Sequence, residues 1–326
     1  MNNRPMQRFS ADNLPRFKQG VILLTPSEMA YNPCNDLIFP SVINAQDYCS
    51  DPLGKYYMYY APHNEPGGIC LAYASSLRGP WIEYADNPII SNQWLPHYDV
   101  EHVSSPYAVY ISEESLLFLY YHGDNELTHY AISKDGISFT YGGVAIDYTM
   151  LPGSDVTAYA RVFRLTSPDG PFRYVMLFMS LAYEPESWDT FTWYGLYRAW
   201  SNDARSWHVD DNPIISHRDL QEPDEYFVCS PCLFSWHGKQ YVVFHKDWKD
   251  NRVPGGVLSD LFAVEVDAGL QPIGPQRLFC SRQLFGDDCM RVSDPCPFYE
   301  DDTLYLFAAI GGRLGQSIGL TMAPMS

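Results

Sequence analysis

Short runs of apolar, aromatic and β-branched residues alternate along this chain with clusters of Gly, Pro, Asn, Asp and Ser, and almost no stretch sustains a 3.6-residue period. The pattern predicts an all-β protein. Its clearest stretch is residues 225–248, EYFVCSPCLFSWHGKQYVVFHKDW, where two β-forming runs flank Trp236-His237-Gly238-Lys239 and read as a hairpin. Antiparallel partners bring the start of one strand and the end of the other to a common edge, so Glu225, His245 and Asp247 are expected on one rim.

Variants of this hairpin recur. Five segments open with a strand, usually containing proline, at residues 37–43, 103–110, 159–165, 227–234 and 292–299. Pro40, Pro106, Val162, Pro231 and Pro295 are taken as equivalent, which spaces the repeats 56 to 69 residues apart, enough for four short strands and their turns. A more hydrophobic second strand follows each opening strand, and then a third. Two repeats also close alike, Asn87-Pro-Ile-Ile-Ser91 and Asn212-Pro-Ile-Ile-Ser216. All-β units of fixed period predict a five-bladed β-propeller, one domain over residues 31–326, with residues 1–30 as an N-terminal arm or outer strand.

Charge narrows the partners. Thirty-nine acidic against 21 basic residues give −18, which argues against nucleic acid or an anionic membrane and leaves neutral or cationic ligands as the better fit. No segment has the apolar length of a signal peptide or a membrane span, so the sequence as given reads as cytoplasmic, or as secreted or periplasmic if a leader had been removed. Eight cysteines lie mostly in strand-like runs, and Cys229-Ser-Pro-Cys232 lacks the second pair that a zinc site would need, so buried free thiols are expected.

In a propeller the first strands line a central channel and the second strands return to the same mouth. Aspartates seven residues before the reference position (Asp99, Asp155, Asp224, Asp288) recur as structural caps would. Four residues before it stand Asp36, His102, Ala158, Phe227 and Arg291, a layer that varies between blades as a binding site should. Arg161 and Asp294 are expected at equivalent inward positions, with His63, His122 and His245 at second-strand ends. Charged residues inside strands are rarely buried unless paired or functional. Carboxylates, imidazoles, arginines and a nearby Trp248 suit a sugar, whose hydrolysis needs one group to protonate the leaving oxygen and another to activate water. The expected catalytic set is Asp36 as base, Glu225 or His245 as acid, and Asp294. His63, His102, His122, Asp155, Arg161, Arg291 and Trp248 would hold substrate, and the two inward arginines hint at an acidic or sulfated sugar.

The segments Asp36-Leu-Ile-Phe-Pro-Ser-Val-Ile43, Lys55-Tyr-Tyr-Met-Tyr-Tyr60, Ile69-Cys-Leu-Ala-Tyr-Ala-Ser75, Leu77-Arg-Gly-Pro-Trp81 and Phe118-Leu-Tyr-Tyr-His-Gly123 carry a resemblance over residues 32–324. The chain resembles the five-bladed propeller glycoside hydrolases, the superfamily of the arabinanases and β-xylosidases of family 43 and the neoagarooligosaccharide hydrolases of family 117. The resemblance implies inverting hydrolysis by an Asp base, a tuning Asp and a Glu acid. Phe39, Arg161 and about Cys229 occupy those places here, and Asp36, Asp155 and Glu225 are the nearest acids. His245 matches the His that serves as acid in the neoagarooligosaccharide enzymes. The leading expectation is exo-acting removal of a terminal sugar from a short oligosaccharide, without a cofactor. A non-catalytic sugar-binding propeller and a lyase or metal-assisted reaction, with a divalent cation in the channel, are the alternatives. Either a monomer or a homodimer through the arm fits.

Overall fold

The computed structural model describes residues 14–124, 126–165, 170–184, 191–220, 225–252 and 256–325. The described chain is nearly all strand, with one short α-turn at Ala45–Tyr48 and a few 3-10 turns. Antiparallel pairing sorts the strands into consecutive four-stranded groups. The first comprises Ile38–Asn44, Tyr56–Ala61, Cys70–Ala74 and Ile82–Glu83. The second runs Val103–Ile111, Leu116–Gly123, Leu127–Ser133 and Thr140–Asp147. The third is Val156–Arg164, Tyr174–Tyr183, Phe191–Ser201 and His208–Val209. The fourth is Glu225–Trp236, Lys239–Lys249, Val257–Val266 and Arg277–Cys280. The last, Arg291–Glu300, Thr303–Gly312 and Gly315–Pro324, takes its outer strand, Val21–Leu24, from the other end of the chain.

Alternation along the strands gives each group two apolar faces, and each face packs on a neighbour. Tyr57, Tyr59 and Leu71 of the first group meet Leu117, Leu119 and Tyr121 of the second. Phe118 and Tyr120 meet Met176 and Phe178, Leu177 and Leu196 meet Val242 and Phe244, and Val243 and Leu261 meet Leu306 and Ile310. Phe307 and Ile318 of the last group then pack on Met58 and Tyr60 of the first. Burial of whole aromatic and aliphatic side chains, each worth about 1.5–3 kcal/mol, therefore lies between groups more than within them. The eight cysteines are free, six of them buried, including both Cys229 and Cys232.

One backbone device repeats in every opening strand. Phe39, Ser105, Tyr159, Ser230 and Asp294 all have positive φ, between 53° and 59°. The ladder register shifts at each of them, between Ile38/Ser41, Ser104/Tyr107, Ala158/Arg161, Cys229/Cys232 and Ser293/Cys296. These are β-bulges with one left-handed residue, which bend the strand and re-aim a side chain. The bulges correct the expected frame in the third repeat, where Ala160 rather than Val162 follows the left-handed residue. Tyr159 is therefore the counterpart of Asp294, and Arg161 is not. Asp155 likewise falls out of the aspartate series, and Asp224 lies outside the described residues.

Candidate active site

The strand Lys239–Lys249 shows how alternation builds the site. It pairs without a break with Val257–Val266, from Gln240↔Val266 to Lys249↔Val257, so its side-chain parity is kept throughout. Tyr241 and Val243 belong to the cluster shared with the last group. His245, Asp247 and Lys249 continue the same parity beyond that cluster, and all three line a cavity of about 590 Å³. Aromatic and apolar side chains also line it, Phe39, Tyr159, Tyr183, Phe191, Phe227 and Leu314 among them. Phe39 stacks on Tyr159 at 4.9 Å between ring centres and lies 6.4 Å from His63, which also lines the cavity.

Asp294 stands on the cavity wall, held by its bulge. It is 3% exposed and accepts hydrogen bonds from Ser230 Oγ and, at 2.8 Å, from Ser293 Oγ. His245 lies between two carboxylates, Nδ1 3.8 Å from Asp294 Oδ1 and Nε2 3.9 Å from Asp247 Oδ1. These separations are too long for hydrogen bonds, and burial outweighs both carboxylates, pushing the imidazole pKa below its ordinary value. A parallel bridge between Ser259 and Arg291 joins the fourth group to the last, and both of those residues converge on Asp247. Ser259 Oγ donates to Asp247 Oδ1, and Arg291 Nη1 donates to Oδ2 at 3.2 Å.

Asp36 is 1% exposed and lies outside the cavity lining, behind Gln316, whose backbone N–H donates to Asp36 Oδ1 at 2.6 Å. The Gln316 side chain lines the cavity and donates to Ser293 Oγ at 2.9 Å, which in turn donates to Asp294, so Gln316 links Asp36 to Asp294 through Ser293. Burial raises the Asp36 pKa; the Gln316 N–H and nearby His63 pull it down, and Asp294 adds to the rise.

The other expected site residues scatter. Glu225 and Trp248 pair across the hairpin, but the cavity-facing residues of the second strand are the odd-numbered ones. Glu225 instead accepts from Lys246 Nζ at 2.7 Å, and Arg282 covers the Trp248 ring at 5.1 Å. The expected rim is thus corrected: His245 and Asp247 line the cavity and Glu225 does not, and Trp248, expected to hold substrate, lies outside the lining too. Arg161 is wholly buried, donating from Nη1 to the Pro106 carbonyl at 3.2 Å, its guanidinium 5.1 Å from the centre of the Tyr107 ring. His122 is buried edge-on to Tyr159 and outside the lining, its pKa driven well down by burial. His102 lies 3.4 Å from Asp124 and is lowered by burial too. Asp155 accepts from the Tyr183 backbone N–H at 2.9 Å and lies outside the cavity lining.

Among the described residues no group of three or more His, Cys, Asp or Glu side chains could hold a metal ion. Sequence reading undervalued Asp247 and missed Gln316, Ser230, Ser293 and Arg313. Asp247 was legible, two residues beyond His245 on a strand. The serines and Gln316 carried no signal, because their roles depend on contacts between different groups.

No protein-family model matches the chain, and no curated protein is similar to it in sequence. Solved structures do match over nearly the full length. A protein described only as a glycoside hydrolase superposes with a TM-score of 0.65 at 12% identity, covering 95% of this chain and 92% of that one. A member of the GH130 family of mannoside phosphorylases and glycoside hydrolases gives 0.63 at 13%, covering 96% and 95%. The α-L-arabinofuranosidase PaAbf62A of Podospora anserina gives 0.61 at 11%, covering 96% and 99%. At such identities the likeness carries the fold alone, and that fold is the one shared by the β-propeller glycoside hydrolases.

Proposed function

We propose that the chain is a five-bladed propeller, each four-stranded group being a blade, and a glycosidase that removes a terminal sugar from a short oligosaccharide with inversion. The observation that carries this reading is Asp294. It is the one carboxylate among the five bulge residues, and it faces a cavity of ligand size with His245 and Asp247 behind it. In this reading Asp294 takes the proton of the attacking water, and buried His245 faces the same carboxylate at 3.8 Å. Inverting hydrolysis needs its two groups about 6.5–9.5 Å apart, so Asp294 and His245, close together, act on one side of the sugar. His63, on the wall supplied by the first blade, is assigned the proton for the leaving oxygen. Phe39 and Tyr159 give the sugar an apolar floor.

The alternative is a propeller that binds the same sugar without cleaving it. It is favoured by the lack of a second carboxylate at the bulge positions and by the missing hydrogen bond at His245 Nδ1. Turnover of aryl-glycosides and oligosaccharides, with the anomer of the product followed by NMR, separates the two. Asp294→Asn is expected to lower kcat by about 10²–10⁴ while preserving the fold. Full activity in that variant overturns the assignment, and binding without turnover by the unaltered protein favours the alternative.

A further inference from the structure

We infer that one edge of the Arg161 guanidinium is a binding site for a small monovalent anion such as chloride. Arg161 lies outside the lining of the sugar cavity, and the site stands whether or not a sugar is cleaved. Arg161 is two residues beyond the left-handed position of its opening strand, and Ser41, Tyr107, Cys232 and Cys296 hold the same place in the other four. The five opening strands touch one another in a closed ring, so these residues form one layer around its middle. The Arg161 side chain reaches across that layer. Its Nη1 donates to the Pro106 carbonyl at 3.2 Å, its guanidinium lies 5.1 Å from the centre of the Tyr107 ring, and its charge acts on the thiols of Cys232 and Cys296 in two further groups.

Nε and Nη2 of Arg161 are buried, and neither has a hydrogen-bond partner among the described residues. These two nitrogens form one side of the guanidinium fork, whose parallel N–H bonds grip an anion at two points. The hydrogen-bond partner that Arg161 does have is a neutral carbonyl. Burial pushes the Cys232 and Cys296 thiol pKa values up, so neither supplies a negative charge. A buried charge without a counter-charge is costly, and a guanidinium does not relieve that cost by losing its proton. A water molecule would accept from the two donors and leave the charge unbalanced. A divalent oxyanion would exchange one unbalanced charge for another. A monoanion balances the charge and accepts both N–H bonds at once. The layer is enclosed, with Arg161 and Cys232 fully buried and Ser41 and Cys296 nearly so, which favours a halide over a bulkier anion.

The test uses the full chain, dialysed from chloride into sodium methanesulfonate. The melting temperature is followed as sodium chloride or sodium bromide replaces methanesulfonate at constant ionic strength. A saturable rise of about 2–5 °C is expected in the unaltered protein, as for a ligand that binds the native state alone. Arg161→Met keeps most of the bulk and removes the charge and both donors, and it should show no such rise. Arg161→Lys keeps a charge without the two-point edge and should show a smaller one. Crystals of the unaltered protein grown in bromide give a second reading that does not depend on either variant folding, an anomalous peak beside Nε and Nη2 of Arg161. No saturable rise in the unaltered protein, an equal rise in folded Arg161→Met, or bromide-grown crystals without that peak overturns the proposal. No sugar enters the experiment, so its failure and the failure of the glycosidase reading are told apart.

Discussion

Asp36 and the buried histidines tie chemistry to stability with opposite signs. Burial raises the Asp36 pKa above its ordinary 3.8, so between that value and the folded pKa the native state holds more protons than the unfolded chain. Stability therefore falls as pH rises through this window, and the cost remains at neutral pH. Asp36→Asn, whose amide oxygen can still accept from the Gln316 N–H, is expected to melt higher than the parent at pH 7 and to lose that advantage near pH 3. Melting curves across pH check it, and no gain at pH 7 would mean that Asp36 is not strained by burial. His129 has the other sign. Burial lowers it from 6.5 to about 4, so its contribution is full above 6.5 and drains away as pH falls toward 4. The loss is about 3 kcal/mol at most. His129→Asn should flatten the acid limb of the stability profile, measured by denaturant unfolding at pH 7 and pH 4.5.

Elements show which parts of the molecule were legible. The closures Asn87-Pro-Ile-Ile-Ser91 and Asn212-Pro-Ile-Ile-Ser216 do the same job in the structure, since Ile90 bridges Ile69 and Ile215 pairs with Leu196, each adding a rung beside a third strand. The hairpin at Trp236–Lys239 was equally plain, because His237 and Gly238 take positive φ at 47° and 76° as a tight two-residue turn demands. Pro40, Pro106, Pro231 and Pro295, each directly after a bulge residue, fixed the frame, but the third repeat has Ala160 there, and no residue type marks a bulge by itself. That gap moved Arg161 to the wrong layer. Glu225 was misplaced for a different reason: the hairpin partner was right, but a shared edge does not settle which face a side chain takes. The bond from Gln316 to Ser293 links elements 23 residues apart, beyond any local pattern. Gln316→Ala should lower kcat about tenfold with a stability change near ~1 kcal/mol, the worth of one hydrogen bond. Stopped assays with a parallel melting curve distinguish that result from simple unfolding.

At the scale of the whole molecule, the strand Val21–Leu24 pairs with Ile318, Gly319 and Leu320, and Leu24 is buried against the first and last groups. Removing residues 1–24 is expected to lower the melting temperature by several degrees and to expose an apolar edge that promotes association. Calorimetry and sedimentation of the shortened chain test both effects, and an unchanged melting temperature in a monomeric product would deny the strand its part in closure. The same pairing sets an order of events during synthesis. Val21–Leu24 is made nearly 300 residues before the strand it pairs with, and its hydrogen bonds wait for that partner. Until Ile318, Gly319 and Leu320 are made, Val21–Leu24 is an open edge. A chaperone that shields such an edge would hold Val21–Leu24 throughout the synthesis of the groups that lie between the two partners.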